Sequence, residues 1–187
     1  MALRRTLATL FDADERTFRT EAKPLLREHG PGAARVERAV ADGLAELDAG
    51  VDTDVRSGLT ARERELVWRV WVFDDAPFGL TLSGPAYQDN PIRVANRTWR
   101  DLTGYSMSDL HGENPRLLQG AQTERPAVER LHEAVDIWES VTVELTNYRR
   151  DGTPFRNRVS LTPLEDESGT VTNWLGVQEA VGSRASE

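Results

Sequence analysis

The stretch Gly112-Glu113-Asn114-Pro115-Arg116-Leu117-Leu118-Gln119-Gly120 lies between two helical patterns, and the chain is organised around it. Asn114 is a good N-cap residue, and Pro115 suits the first helical position because its missing N–H costs nothing there. The pattern predicts a short helix whose free N–H groups, with Arg116, form a site for an anion such as phosphate. The alternative is a surface turn with an exposed arginine, and this stretch alone does not decide between the two.

The composition narrows the classes of function. The chain has 187 residues, a formal net charge of -8 and no cysteine, which excludes disulfides, thiolate metal sites and cysteine nucleophiles. Its histidines, His29, His111 and His132, lie too far apart in sequence for metal-ligand spacing. The charge is spread along the chain, which argues against binding to nucleic acid. No apolar run approaches the ~20 residues of a membrane span and no signal core is evident, so we expect a cytoplasmic protein with no membrane partner.

The N-terminal part is predicted to be helical. Residues 1–58 form a polar helical extension that includes an amphipathic helix over 33–47. The capping box Thr60-Ala-Arg-Glu63 begins a further helix, a linker within residues 59–75. Trp68 lies off the apolar face of that helix, so it packs either in the core or on a partner surface. We expect the extension to serve as a helical cap, or to bind a partner or a second copy of the chain.

Short strands and helices alternate from residue 76 to residue 180. The predicted helices in this part are capped by Asn96, Ser106 and Thr123, and the predicted strands are Phe78–Ser83, Ile92–Ala95, Val141–Tyr148, Phe155–Leu164 and Val171–Gln178. This order predicts an α+β domain with a five-stranded antiparallel sheet and helices on one face. Residues 181–187 are expected to be a disordered tail.

Three carboxamides are in phase with the apolar side chains of the last strands, namely Asn147, Asn157 and Gln178. A buried amide without a partner costs about 1–3 kcal/mol, so each amide needs a hydrogen-bond partner. Three converging amides, with the space left by Gly176, suit a planar heterocycle with alternating donors and acceptors. A polar network among the amides themselves is the alternative.

Residues 76–180 resemble a light-oxygen-voltage (LOV) domain, the flavin-binding branch of the PAS superfamily. The stretch GENPRLLQG is similar to the family's GxNCRFLQG signature, and Asp89-Asn-Pro-Ile92 is similar to its DNPI turn. Leu145-Thr-Asn-Tyr148 resembles its LxNY strand, and Gly176-Val-Gln178 resembles its GVQ ending. Several matches in register are far more specific than a lone short motif.

The resemblance implies a bound flavin mononucleotide (FMN), or another flavin such as FAD or riboflavin. It assigns Asn147 and Asn157 to the pyrimidine edge of the ring, Gln178 to the ring's N5 and O4, Asn114 and Gln119 to the ribityl chain, and Arg116 to the phosphate. Ser83 stands where the family has a threonine beside the ring, and the ring faces are assigned to Leu118, Leu145, Leu161 and Gly176.

The chain departs from the family pattern at three positions. Pro115 stands where the family has the photoactive cysteine that bonds to the flavin, and no other cysteine can replace it. His132 stands in place of a second phosphate-binding arginine, so the phosphate is held less strongly or a flavin with another tail is preferred. Leu117 replaces a phenylalanine, which is a mild change in packing.

These features lead to a first hypothesis of a blue-light or redox sensor that works without a cysteinyl–flavin adduct. Photoreduction of the flavin to a semiquinone, with Trp174, Trp99, Tyr105 or an external reductant as the electron donor, would drive an amide flip of Gln178. The second hypothesis is a light-indifferent binding or dimerisation module with flavin as a structural or redox ligand. A flavin oxidoreductase is the third, and no acid, base or nucleophile for a substrate is apparent beside the ring. We therefore expect a sensory protein rather than an enzyme. It would act as a homodimer through its flanking helices or sheet face, and its downstream partner is unknown.

Overall fold

The computed structural model describes residues 2–29 and 59–182. In these ranges three helices precede the first strand, and they are α1 (Ala2–Asp12), α2 (Glu15–His29) and α3 (Ala61–Val72). The capping box at Thr60 is confirmed, since its side chain accepts from the Glu63 N–H while the Glu63 carboxylate accepts from the Thr60 N–H. The predicted helix over 33–47, and residues 183–187 of the predicted tail, lie outside the described ranges.

The predicted five-stranded antiparallel sheet is confirmed. Its strands are β1 (Gly79–Ser83), β2 (Ile92–Ala95), β3 (Val141–Tyr148), β4 (Pro154–Glu165) and β5 (Val171–Ala180). Their order across the sheet is β2-β1-β5-β4-β3, so the last strand in sequence lies at the centre. The strand β5 thus pairs with both β1 and β4 and joins the two halves of the sheet.

The segment between β2 and β3 carries the helices of the domain. These are α4 (Arg97–Thr103), α5 (Met107–Leu110), a 3-10 turn (Pro115–Leu118) and α6 (Arg125–Asp136). The predicted caps at Asn96 and Ser106 are confirmed, because each side chain accepts from a backbone N–H of the first helical turn. Asn114 likewise accepts from the Arg116 N–H, and the predicted helix after it is a single 3-10 turn.

The predicted cap at Thr123 is wrong, since α6 begins at Arg125 with Glu124 in the N-cap position. The Thr123 hydroxyl accepts from the Gly120 N–H at 2.9 Å and donates to the Thr146 carbonyl at 2.6 Å. It therefore ties the loop to β3 instead of capping the helix. The Glu124 carboxylate accepts from the Thr146 N–H at 2.7 Å and pairs with Arg156, so the start of α6 is fixed to the sheet.

The helices α1, α2 and α3 of the predicted N-terminal extension pack on the face of the sheet opposite the later helices of the domain. The shared hydrophobic core joins side chains of these three helices to sheet residues that include Leu80, Leu82, Leu175 and Val177. Trp68 belongs to this core, since it is 2% exposed and its ring lies 5.2 Å from the ring of Phe18. Of the two predicted surroundings of Trp68, the core is the one that the structure shows.

In the part of the chain that the structure describes, no helix is both long enough and apolar enough to span a membrane. The predicted boundaries at residues 58, 75 and 180 stay a prediction.

Candidate functional site

A cavity of about 300 Å³ lies between the sheet and the segment from β2 to α6. Its volume is at the lower end of the range of ligand pockets in proteins. Most of the predicted site residues line it, and they are Ser83, Asn114, Pro115, Arg116, Leu118, Gln119, His132, Asn147, Leu161 and Gln178. Asn157 and Gly176 are the predicted residues that do not line it.

Sheet register explains why three amides converge here. Asn157 on β4 pairs with Leu145 on β3, two residues from Asn147. Gln178 on β5 pairs with Val159, two residues from Asn157. Since residues two apart on a strand share a face, all three amides point to the same side of the sheet as neighbours on adjacent strands.

The amides form a chain of hydrogen bonds whose middle member has an unpaired oxygen. The Asn157 amide donates to Asn147 Oδ1 at 2.9 Å and to Gln178 Oε1 at 2.7 Å. Asn147 in turn donates to the Leu118 carbonyl at 3.2 Å. Asn157 is fully buried, and its Oδ1 has no partner among the described residues. A buried acceptor left unpaired costs about 1–3 kcal/mol, so the network of amides is not self-sufficient.

The apolar part of the cavity is formed by aliphatic side chains and one indole. Leu118, Leu145, Val159 and Leu161 line it together with Trp174. The indole is 1% exposed, and its Nε1–H has no hydrogen-bond partner among the described residues. Among the aromatic residues singled out from the sequence, Trp174 alone lines the cavity.

Gly176 does not leave open space for a ligand, contrary to the prediction. A Cβ placed on it would lie 2.3 Å from Oγ1 of Thr81, which is paired with it on β1. The space is therefore filled by the Thr81 side chain, which itself lines the cavity. Thr81 was missed in the sequence, although it is in phase with Ser83 and alternation along β1 would have found it.

The other end of the cavity is polar and charged. Arg116 makes an ion pair with Asp89, and Asn114 Nδ2 donates to the Asp89 carbonyl at 2.6 Å. His132 and Asp136 line this cavity from successive turns of α6. Asp136 was also missed, although its spacing of four from His132 places both on one helix face.

These residues fit a flavin. The fully buried Asn157 oxygen lacks a donor, which a ring with an imide N–H supplies, and the amides beside it both donate and accept. Leucine and valine side chains suit the faces of an aromatic ring, and Arg116 suits a polar tail. Within residues 2–29 and 59–182, no cluster of histidine, aspartate or glutamate side chains could hold a metal ion.

Comparisons with known proteins agree with this geometry. A family model described as a PAS domain matches residues 80–179. The chain is 38% identical over 136 residues to a bacterioopsin transcriptional activator from Halobacterium salinarum, and this alignment covers 71% of the chain and 20% of that relative. It is 36% identical over 129 residues to blue-light-activated histidine kinase 2 from Erythrobacter litoralis, which covers 69% of the chain and 36% of that relative. The chain thus spans only a minor part of these curated relatives.

A solved structure extends the comparison to three dimensions. The LOV domain of a blue-light-activated histidine kinase from Erythrobacter litoralis superposes with a TM-score of 0.55 at 39% sequence identity. The match covers 57% of this chain and 98% of that domain. Because the PAS model covers more than half of the chain and nearly all of a solved LOV domain is matched, the chain belongs to the LOV branch of the PAS domain family.

Proposed function

We propose that this chain is a flavin-binding blue-light or redox sensor that works without a cysteinyl–flavin adduct. The observation that carries the proposal is the buried network of Asn147, Asn157 and Gln178, whose middle member Asn157 has an unpaired oxygen and whose two outer members line the cavity. Relatives named as blue-light-activated histidine kinases support the sensory part.

In this proposal the amides bind the polar edge of the flavin ring. Asn147 and Asn157 exchange hydrogen bonds with its pyrimidine edge, while Gln178 faces the reactive centre of the ring. The ring faces pack on Leu118, Leu145 and Leu161, with Ser83 at the ring's side. Gly176 would contribute by admitting the Thr81 side chain to the wall of the cavity.

The tail of the flavin lies at the charged end of the cavity. Asn114 and Gln119 would hydrogen-bond the ribityl hydroxyls, and Arg116 and His132 would face a tail phosphate. FMN is the flavin that the family implies, with riboflavin or FAD as the other possible ligands.

Pro115 sets the type of photochemistry. It lines the cavity, but proline has no nucleophile and the chain has no cysteine. A bound flavin supplies a strong one-electron oxidant when it absorbs blue light. Among the candidate donors Trp174, Trp99 and Tyr105, Trp174 would give up the electron, because its indole lines the cavity. An external thiol or similar reductant would then restore the indole.

Gln178 would convert the reduction of the flavin into a structural change of the protein. An amide can exchange its acceptor oxygen for its donor nitrogen by rotating, and this breaks the bond that Gln178 now accepts from Asn157. The next residue, Glu179, pairs with Arg4 of α1 at 3.2 Å. A shift of β5 would thus reach the N-terminal helices directly.

Absorption of the purified protein tests the proposal first. An oxidised-flavin band in the blue region is expected, and a colourless protein that takes up no added flavin would overturn the proposed flavin site.

Illumination under reducing conditions then separates a light sensor from a light-indifferent binding module. Loss of the blue band without adduct formation is expected, and a band that light leaves unchanged favours the module.

The remaining parts of the proposal concern the surroundings of the domain. We place the chain in the cytoplasm, in a sensory and not a catalytic role, and acting on a downstream partner. Because α1, α2 and α3 pack on β1 and β5, a homodimer would use the outward surfaces of these helices and not the covered sheet face.

A further inference from the structure

One hydroxyl fills a gap in the row of side chains that β5 turns towards the cavity. Trp174, Gly176 and Gln178 share that face of the strand, and Gly176 contributes no side chain to it. Thr81 on β1 pairs with Gly176, and its Oγ1 is the atom nearest to the place where a Cβ of residue 176 would lie. The Thr81 hydroxyl therefore lies in this row between the indole of Trp174 and the amide of Gln178, which both line the cavity.

The Thr81 hydroxyl makes no hydrogen bond to any of the described residues. The residue is 3% exposed, and it lines the cavity. A valine would have nearly the same shape and would suit a strand equally well, so packing against Gly176 does not require the oxygen. Because a desolvated hydroxyl without a partner is unfavourable, the oxygen indicates a polar partner inside the cavity.

Thr81 lies outside the four stretches of the chain that resemble motifs of the family. The family's threonine beside the ring corresponds to Ser83, two residues further along β1. Since residues two apart on a strand share a face, Thr81 adds a second hydroxyl to the same side of β1. The evidence for its role is thus the structure of this chain and not the resemblance.

We propose that Thr81 contacts the ring of the bound flavin, and that its hydroxyl donates a hydrogen bond, at the edge that Gln178 faces, which strengthens when the ring is reduced. The added electron makes the nitrogen and oxygen atoms of the ring better acceptors, and a hydrogen bond to a charged acceptor is about twice as strong as one to a neutral acceptor. A hydroxyl can also exchange donor for acceptor by turning its O–H bond, so no heavier atom of Thr81 has to move. Thr81 keeps its own proton, and its role rests on the proposed flavin site.

Thr81→Val tests this role, because it removes the hydroxyl and keeps the shape. The flavin-free protein is titrated with FMN, and the midpoint potential of the complex is then measured anaerobically against a reference dye. We expect the affinity for oxidised FMN to fall about fivefold, and the affinity for reduced FMN to fall at least about fivefold further. The midpoint potential should therefore be lower, since weaker binding of the reduced form disfavours reduction. A role in packing alone would weaken both forms equally and leave the potential unchanged.

Two further variants and one control make the test specific for the hydroxyl. Thr81→Ala also removes it, without adding bulk, and should lower the potential in the same way. Thr81→Ser keeps the hydroxyl and should have the wild-type potential. The control Thr142→Val removes a hydroxyl that pairs with Ser160 outside the cavity, and it should change neither the affinity for FMN nor the potential.

The failure of this role can be told apart from the failure of the flavin site. If Thr81→Val and Thr81→Ala bind FMN and both keep the wild-type potential, the role of Thr81 is overturned and the flavin site stands. If the wild type itself binds no FMN, the proposed function fails and the role of Thr81 falls with it.

Discussion

The Asn157 amide donates to Gln178 Oε1 at 2.7 Å, from the strand next to the central one. The same amide donates to Asn147 Oδ1, so Asn157 is the middle member of the chain of amides. Any rotation of the Gln178 amide must break or reverse the bond to Asn157. Gln178, which is proposed to face the reactive centre of the flavin ring, and Asn157, which is proposed to bind its pyrimidine edge, are therefore coupled by a direct hydrogen bond.

Gln178→Leu should uncouple light absorption from structural change. The leucine fills a similar volume but cannot exchange an acceptor for a donor, and flavin affinity should fall about tenfold for the lost hydrogen bond. We expect photoreduction to persist while the light-minus-dark difference in the amide I infrared band is lost. The control is Gln122→Leu, which changes an exposed amide outside the cavity and should keep the light-minus-dark difference in the amide I band. If Gln178→Leu kept the wild-type light-minus-dark difference in the amide I band, the proposed flip of the Gln178 amide would be contradicted.

Trp174→Phe should brighten the flavin. The indole lines the cavity and is easily oxidised, so it should quench flavin fluorescence, whereas phenylalanine should not. We expect a higher fluorescence yield, a longer lifetime and slower photoreduction in this variant. Trp99→Phe changes a buried indole that packs in a separate cluster, and its fluorescence should match the wild type. If flavin fluorescence were quenched equally in Trp174→Phe and Trp99→Phe, Trp174 would not be the electron donor.

Much of the sheet could be predicted from the sequence because antiparallel strands impose a period of two. Alternation along β3, β4 and β5 is enough to assign Asn147, Asn157 and Gln178 to one face, and the register of the strands confirms it. Capping residues were equally informative where the cap involves only residues within one turn. Thr60 and Asn96 each cap the helix that the sequence indicated.

Contacts between distant segments could not be predicted in the same way. The choice between Thr123 and Glu124 as cap depends on Thr146, which is more than twenty residues away and claims both side chains. The role of Gly176 depends likewise on which residue of β1 lies opposite it. The packing of the N-terminal helices on the sheet also depends on three-dimensional contacts, since an amphipathic pattern shows that a face is buried but not against what.

Gly176→Ala should destabilise the fold, because the new methyl group would lie 2.3 Å from Thr81 Oγ1. Overpacking of this kind costs about 1–3 kcal/mol of unfolding free energy, measured here by urea unfolding. The double variant with Thr81→Ala should recover most of the loss, since the clashing atom is gone. Additive losses in the double variant would show that the close contact between these positions is not the cause.

Glu124 should make the fold sensitive to acid. Burial acts to raise its pKa, but hydrogen bonds from the Thr146 N–H and Arg156 outweigh this and lower it from the ordinary value of 4.5. A carboxylate with a lowered folded-state pKa adds stability above its unfolded pKa, and this is lost as the pH falls through the folded value. Urea unfolding below pH 4.5 should therefore show a smaller loss of stability for Glu124→Gln than for the wild type. An unchanged slope of unfolding free energy against pH would contradict this, and Arg156→Gln should give an intermediate slope.

Pro115→Cys should install the photochemistry that this chain lacks. Position 115 lines the cavity at the start of the 3-10 turn, where loss of proline costs little because the Asn114 cap remains. If the ring lies as proposed, the thiol faces it, and blue light should bleach the flavin band reversibly, with recovery in the dark and without added reductant. Pro115→Ser offers a hydroxyl of similar size that is a far weaker nucleophile, and it should behave as the wild type does. A cysteine variant that binds flavin but shows no thiol-dependent bleaching would mean that the ring does not approach the turn after Asn114.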